Sequence, residues 1–164
     1  MPNITPYLWF DGDAEEAAEF YTSIFPNSHV DKVVRASADN PSNRKGDVMT
    51  VEFTLDGTTF VGLNGGPDFR FSEAISFMID CEDQAEVDHY WDALLKGGGE
   101  PSVCGWLKDR FGLSWQVTPR RLLEMTESDD RAAAERATNA MLQMTKIDIG
   151  KLEEAYRGEP ALTR

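Results

Sequence analysis

The stretch from Tyr7, YLWFDGDAEEAAEFYTSIF, lies over the stretch from Ser76, SFMIDCEDQAEVDHYWDAL, without a gap. Asp11 falls on Asp80, Ala18 on Val87, Tyr21 on Tyr90 and Phe25 on Leu94, an offset of 69 throughout. A duplication of this kind restricts the fold severely, because two copies of one supersecondary unit must each bury the same kind of face. In both copies an apolar stretch runs into an aspartate turn, and apolar residues then recur at intervals of three and four. That order predicts strand, turn and helix. The alternative is an accidental match of two amphipathic strand-helix pairs.

The remainder of each copy reads as three strands. Pro26 and Asn27 end the first helix, and the apolar stretches His29 to Ala36 and Val48 to Leu55 follow. In the second of these, Val51, Phe53 and Leu55 alternate with Thr50, Glu52 and Thr54, the pattern of a half-buried strand. Asp56-Gly57 is a strong hairpin signal leading into Thr59 to Asn64. Phe111-Gly112 takes its place in the second copy, at an offset of 55 because the first copy carries the longer loop. The sequence therefore predicts an α+β fold of duplicated βαβββ modules, about residues 3–66 and 72–119, forming one domain over 1–119. Residues 120–164 read as a helical C-terminal extension. Its apolar stripe, Met141, Leu142, Met144, Ile147, Ile149 and Leu152, must bury against its own domain or a second subunit.

Charge and composition exclude several functions. The 164 residues carry a formal charge of −13, which repels phosphate backbones and anionic lipid, so neither nucleic acid nor membrane is an expected partner. No apolar run approaches the roughly 20 residues of a membrane span. The N-terminus lacks a basic region followed by an apolar one, so a cytoplasmic protein is expected. Two cysteines, Cys81 and Cys104, give no disulfide framework and no zinc spacing, and read as free thiols. His29 and His89 have no patterned catalytic partner. No glycine-rich nucleotide loop, nucleophile elbow or zinc-protease motif occurs.

Several segments together resemble one family: PYLWFDGDAEEAAEFY, IFPNS, VEFTLDGTTFVGLNGGP, FRFSEAISFMIDCED, CGWLKDRFGLSWQVTP and the tail AMLQMTKIDIGKLEEAY. This is the PhnB-like family, labelled 3-demethylubiquinone-9 3-methyltransferase. It sits within the vicinal-oxygen-chelate superfamily of glyoxalase I, extradiol dioxygenases and bleomycin- and fosfomycin-resistance proteins. The resemblance implies the glyoxalase/bleomycin-resistance/dioxygenase fold. It also implies a divalent metal held by one side chain from the first and last strands of each copy. Projected onto this chain, those positions are Pro6, Gly62, Ala74 and Gln116. Only Gln116 has a side chain able to ligate, and only weakly, so neither a metal nor another cofactor is expected. Methyl transfer is not expected either, because the glycine-rich loop of a doubly wound domain is missing and GGGE from Gly97 follows a helix.

Strand alternation from those four positions selects a candidate pocket lining. It places Phe10, Phe60 and Asn64 inward in the first copy, with Ser76, Met78, Ser114 and Gln116 in the second. Cys104 and Trp106 join them from the strand before the last hairpin. Cys104 is a nucleophile with Lys108 nearby or a packed thiol, and Trp106 caps the pocket or belongs to the core. Glu52, on a face with Thr50 and Thr54, is the candidate catalytic residue as a half-buried general base; the alternative is a solvated glutamate. The expected function is metal-free binding of a small, partly aromatic molecule in a concave sheet pocket, by a homodimer. The competing expectation is an enzyme of the lyase, isomerase or dioxygenase type, run by Glu52 or by a metal bound elsewhere.

Overall fold

Each copy opens with a strand that releases into a helix, as the duplication predicts, although Asp11 follows its strand whereas Asp80 lies within its own. The computed structural model describes residues 1–159; residues 160–164, the end of the expected extension, lie outside the described residues. The chain divides into two units, Met1–Phe71 and a second beginning at Ser72.

The first unit runs β1 (Tyr7–Phe10), α1 (Ala14–Ile24), β2 (His29–Arg35), β3 (Val48–Leu55) and β4 (Thr58–Asn64). Its sheet has the order β1-β4-β3-β2, with β1 parallel to β4 and the other pairs antiparallel. Asp56 and Gly57 both take positive φ, 41° and 84°, the left-handed pair that a tight hairpin requires. The helix α1 has no side-chain cap from Asp13. Its first N–H, on Ala14, instead donates to Asn64 Oδ1 at 2.9 Å, while Asn64 Nδ2 donates to the Val48 carbonyl at 2.9 Å. One buried amide thus pins the helix start to two strands. Under α1, Phe53 stacks between Tyr21 and Phe60, with ring centroids 6.1 and 5.6 Å away.

The second unit repeats the order as β5 (Ser76–Cys81), α2 (Gln84–Leu95), β6 (Glu100–Pro101), β7 (Trp106–Lys108) and β8 (Ser114–Pro119). Its sheet, β5-β8-β7-β6, again pairs first and last strands in parallel. Here the aspartate does cap: Asp83 accepts from the Glu86 N–H at 2.9 Å. Gly97, at φ 87°, lies just past the end of α2, as a helix stop should.

The extension forms α3 (Arg120–Thr126), α4 (Arg131–Met141) and α5 (Ile149–Arg157), and it packs on its own chain. Leu122, Met125, Ala137, Ile147 and Leu152 make one buried cluster, joined by the half-buried Met141 and Met144. Leu142 of the expected stripe is instead 52% exposed. Gln84, at the start of α2, donates to the Ile147 carbonyl at 3.0 Å and accepts from the Ile149 N–H at 2.9 Å. The N–H groups of Cys104 and Gly105 donate to the carbonyls of Met144 and Thr145, both at 2.8 Å. Arg121 on α3 pairs with Glu153 on α5 at 2.5 Å, which holds the Glu153 carboxyl below its usual range. A group whose pKa is lowered on folding stabilises above the unfolded value and loses that contribution as pH falls through the folded one. Thermal melts should therefore show Glu153→Gln less stable than wild type near neutrality, with the gap closing as the pH drops below the ordinary glutamate range.

Candidate functional site

Strand register decides which face of each sheet is open. In the first unit, Leu8 sits opposite Gly62, Phe10 opposite Asn64 and Phe53 opposite Phe60. A Cβ on Gly62 would meet the Ala14 Cβ of α1 at 3.1 Å, so this is the face that the helix covers. Phe10, Phe60 and Asn64 are therefore core residues beneath α1, at 3%, 7% and 5% exposure, and not the pocket lining expected of them. The opposite face carries Tyr7, Trp9, Val61, Leu63 and Glu52. Glu52 lines a broad cleft of about 590 Å³ with Tyr7, Thr59 and residues 3–5, and it is exposed, without the half-burial expected of a tuned base.

In the second unit the open face carries the other candidate residues. Met78 lies opposite Gln116, Gln116 opposite Trp106, and Ser114 opposite both Ser76 and Lys108. These side chains share a face, while Leu107, Trp115 and Val117 are buried on the other. Gln116 Nε2 donates to Ser76 Oγ at 2.9 Å, which fixes the amide on the open face. Met78, Cys104, Trp106 and Gln116 then line a cleft of about 300 Å³ whose far wall comes from α3 and α4: Leu122, Leu123, Thr126, Thr138 and Met141. Cys104, Trp106 and Ser114 also line a second cleft, of about 210 Å³. The structure thus gathers Met78, Cys104, Trp106, Ser114 and Gln116 on one surface. Sequence alternation missed α3 and α4, since the extension had no assigned face.

The local order of this surface comes from a residue that periodicity did not single out. Asp109, buried at 3%, accepts from the Phe111 and Leu113 N–H groups through Oδ1, at 2.9 and 3.1 Å. Its Oδ2 accepts the Trp115 indole N–H at 2.9 Å. The carboxylate organises the turn between β7 and β8 and so sets the position of Trp106 relative to Gln116. A DG-like turn with an acid three residues before the glycine was the available signal.

The two thiols differ sharply. Cys81 is buried, and burial pushes its thiol up to about 12, so it stays protonated and inert at neutral pH. Cys104 is half-buried at the edge of both clefts. A native thiol titration is expected to count one accessible group, lost in Cys104→Ser, with the second appearing only on unfolding.

The positions projected for metal ligands, Pro6, Gly62, Ala74 and Gln116, do not share one register: by the offset of 69 Pro6 falls on Ile75 and not on Ala74, and Gly62 faces α1. With the duplication offset of 69, Trp9 matches Met78, and their partners across the parallel pairs are Leu63 and Gln116. A thioether, an amide and two apolar groups do not fit a divalent cation. Among the described residues no group of three or more His, Cys, Asp or Glu side chains is placed to hold one. No helix of the described residues is long and apolar enough to cross a membrane.

Comparison with known proteins finds a matching family and similar folds. Residues 2–118 match the family described as 3-demethylubiquinone-9 3-methyltransferase. A PhnB protein of Bacillus cereus is 33% identical and superposes with a TM-score of 0.64, covering 72% of this chain and 99% of its own. Protein PA1353 of Pseudomonas aeruginosa, 20% identical, has the same fold at a TM-score of 0.60, over 73% of this chain and 98% of its own. A glyoxylase/bleomycin resistance protein/dioxygenase domain from Frankia is 15% identical, with a TM-score of 0.48 over 73% and 92%. No curated protein matches the chain. The family match ends before Arg120, so α3 and α4, which build the far wall of the 300 Å³ cleft, lie beyond it.

Proposed function

This chain belongs to the family described as 3-demethylubiquinone-9 3-methyltransferase, and from that premise we propose that it binds a small, partly aromatic molecule, without a metal, in the cleft between β5, β7 and β8 and the helices α3 and α4. The observation that carries this reading is the lining of that cleft. Trp106, Met78, Met141 and Leu122 supply apolar and polarisable walls, and Gln116 and Thr138 supply a few hydrogen-bonding groups, the composition of a small-molecule site. Gln116 has already committed one amide hydrogen to Ser76, which leaves its carbonyl free to meet a donor on the ligand. Methyl transfer is set aside because the chain offers two four-stranded sheets, each with a single parallel pair, where a doubly wound sheet with a glycine-rich loop is the usual host.

A saturation-transfer NMR screen with phenols, indoles and aryl ketones tests the reading. Binders are expected among them, and Trp106→Ala should weaken the best at least about tenfold, since one stacked aromatic wall is worth on the order of 1 kcal/mol beyond its buried area. A panel without binders, or binders indifferent to Trp106→Ala and Met141→Ala, would sink the proposal. We also propose that the protein works as a homodimer, which sedimentation equilibrium tests directly.

A further inference from the structure

The smaller cleft, which shares Trp106 and Cys104 with the larger, has chemistry of its own. Ser114 is 1% exposed and lines this cleft, and its Oγ has no hydrogen-bond partner among the described residues. Leaving a buried hydroxyl unpaired costs stability unless something else pairs with it. Lys108 lies directly opposite Ser114 across the β7–β8 pair, on the same face, and both residues line this one small volume. The Lys108 ammonium is met by a carboxylate from this same chain, that of Glu73, which also lines the cleft. Each holds the other charged: the lysine above its usual range, the glutamate below. Glu73 is 62% exposed, and the two members of an exposed pair of this kind favour each other over water less than about fivefold.

We propose that this cleft is a second binding site, for a small monocarboxylic acid with a flat apolar body, whose carboxylate replaces Glu73 on Lys108 and accepts the Ser114 hydroxyl. The volume suits that class. A dry cavity of about 150 Å³ admits benzene, so about 210 Å³ holds one ring and a carboxylate. Trp106 and Val103 offer apolar surface for the ring. The overall charge of −13 does not forbid an anion here, because charges beyond about 8 Å are screened at physiological salt. Of the acids beside Lys108, Glu73 is the one displaced, while Glu100 opposite it on β6 stays and moderates the affinity. The two clefts share Cys104 and Trp106, but the groups that would hold the carboxylate, Lys108 and Ser114, line only this one.

Titration with benzoate, followed by amide resonances of the 15N-labelled protein, tests it. The expected result is saturable shifts confined to Glu73, residues 102–108 and Ser114, with benzamide at least about tenfold weaker. Glu73→Gln should tighten benzoate about threefold by removing the internal competitor, Ser114→Ala should weaken it about fivefold, and Lys108→Met should abolish saturation. No saturable shift in wild type and in Glu73→Gln, equal affinity for benzamide, or shifts mapping to Met78, Thr138 and Met141 would each overturn the assignment. The last outcome would also identify benzoate as a ligand of the larger cleft, which separates the two sites. Each variant's own spectrum reports whether it is folded; should Lys108→Met fail to fold, benzamide and Glu73→Gln decide the matter.

Discussion

Asp109→Ala is expected to cost the second unit about 4 kcal/mol of stability. The substitution leaves three donors without their acceptor: the N–H groups of Phe111 and Leu113 and the indole N–H of Trp115. Trp115 is 4% exposed and the Leu113 N–H is buried, so water does not simply take the place of the carboxylate. Hydrogen bonds to a charged group contribute roughly 1.5–3 kcal/mol each, and partial relaxation of the turn brings three of them to the stated total. Asp109→Asn keeps one carbonyl acceptor and should lose about half as much. Urea unfolding followed by tryptophan fluorescence measures both. A loss under about 1 kcal/mol for the alanine variant would mean that the turn does not depend on this carboxylate.

Gly105→Ala should cost the second unit about 3 kcal/mol. Gly105 has φ 81°, where a Cβ costs about 1–2 kcal/mol on its own. A Cβ there would also lie 2.9 Å from the Val117 carbonyl oxygen and 2.9 Å from Ile147 Cγ1. The carbonyl belongs to a sheet strand and Ile147 is fully buried, so neither can move freely. The flanking Cys104 and Trp106 line both clefts, and the strain should reach them. Gly112 provides the control: it too has positive φ, 87°, but nothing lies within 4 Å of its would-be Cβ. Gly112→Ala should cost only about 1–2 kcal/mol, and it is the difference between the two variants, read by chemical denaturation, that isolates the packing against Ile147.

The duplication, the element order and the hairpin were legible in the sequence because each rests on local chemistry: the aspartate turns, the three-four spacing of Ala14, Ala17, Ala18 and Tyr21, and the Asp56-Gly57 pair. Which face of the first sheet is covered was not legible from hydrophobicity. β1 offers Leu8 and Phe10 on one side and Tyr7 and Trp9 on the other, so both faces read as apolar and the pattern does not choose. Close contact chooses instead: Ala14 against Gly62, and Asn64 holding the first amide of α1. The duplication held the missing clue. Its offset of 69 places Tyr7 with Ser76, whereas setting Pro6 beside Ala74 slips the register by one and turns every side chain over. In the second copy Ser76, Ser114 and Gln116 against Phe77, Trp115 and Val117 leave no such ambiguity. The far wall of the larger cleft escaped because it depends on where a helical extension docks, and that is fixed by distant partners such as Gln84 with Ile147 and Ile149.

Native mass spectrometry of the purified protein tests most directly whether the larger cleft is a metal-free binding site. The predicted spectrum carries no stoichiometric divalent ion and shows one organic molecule per chain taken up from the aromatic panel, lost in Trp106→Ala. One divalent ion per chain, removable by a chelator and required for that uptake, would contradict it and return the protein to metal-dependent chemistry.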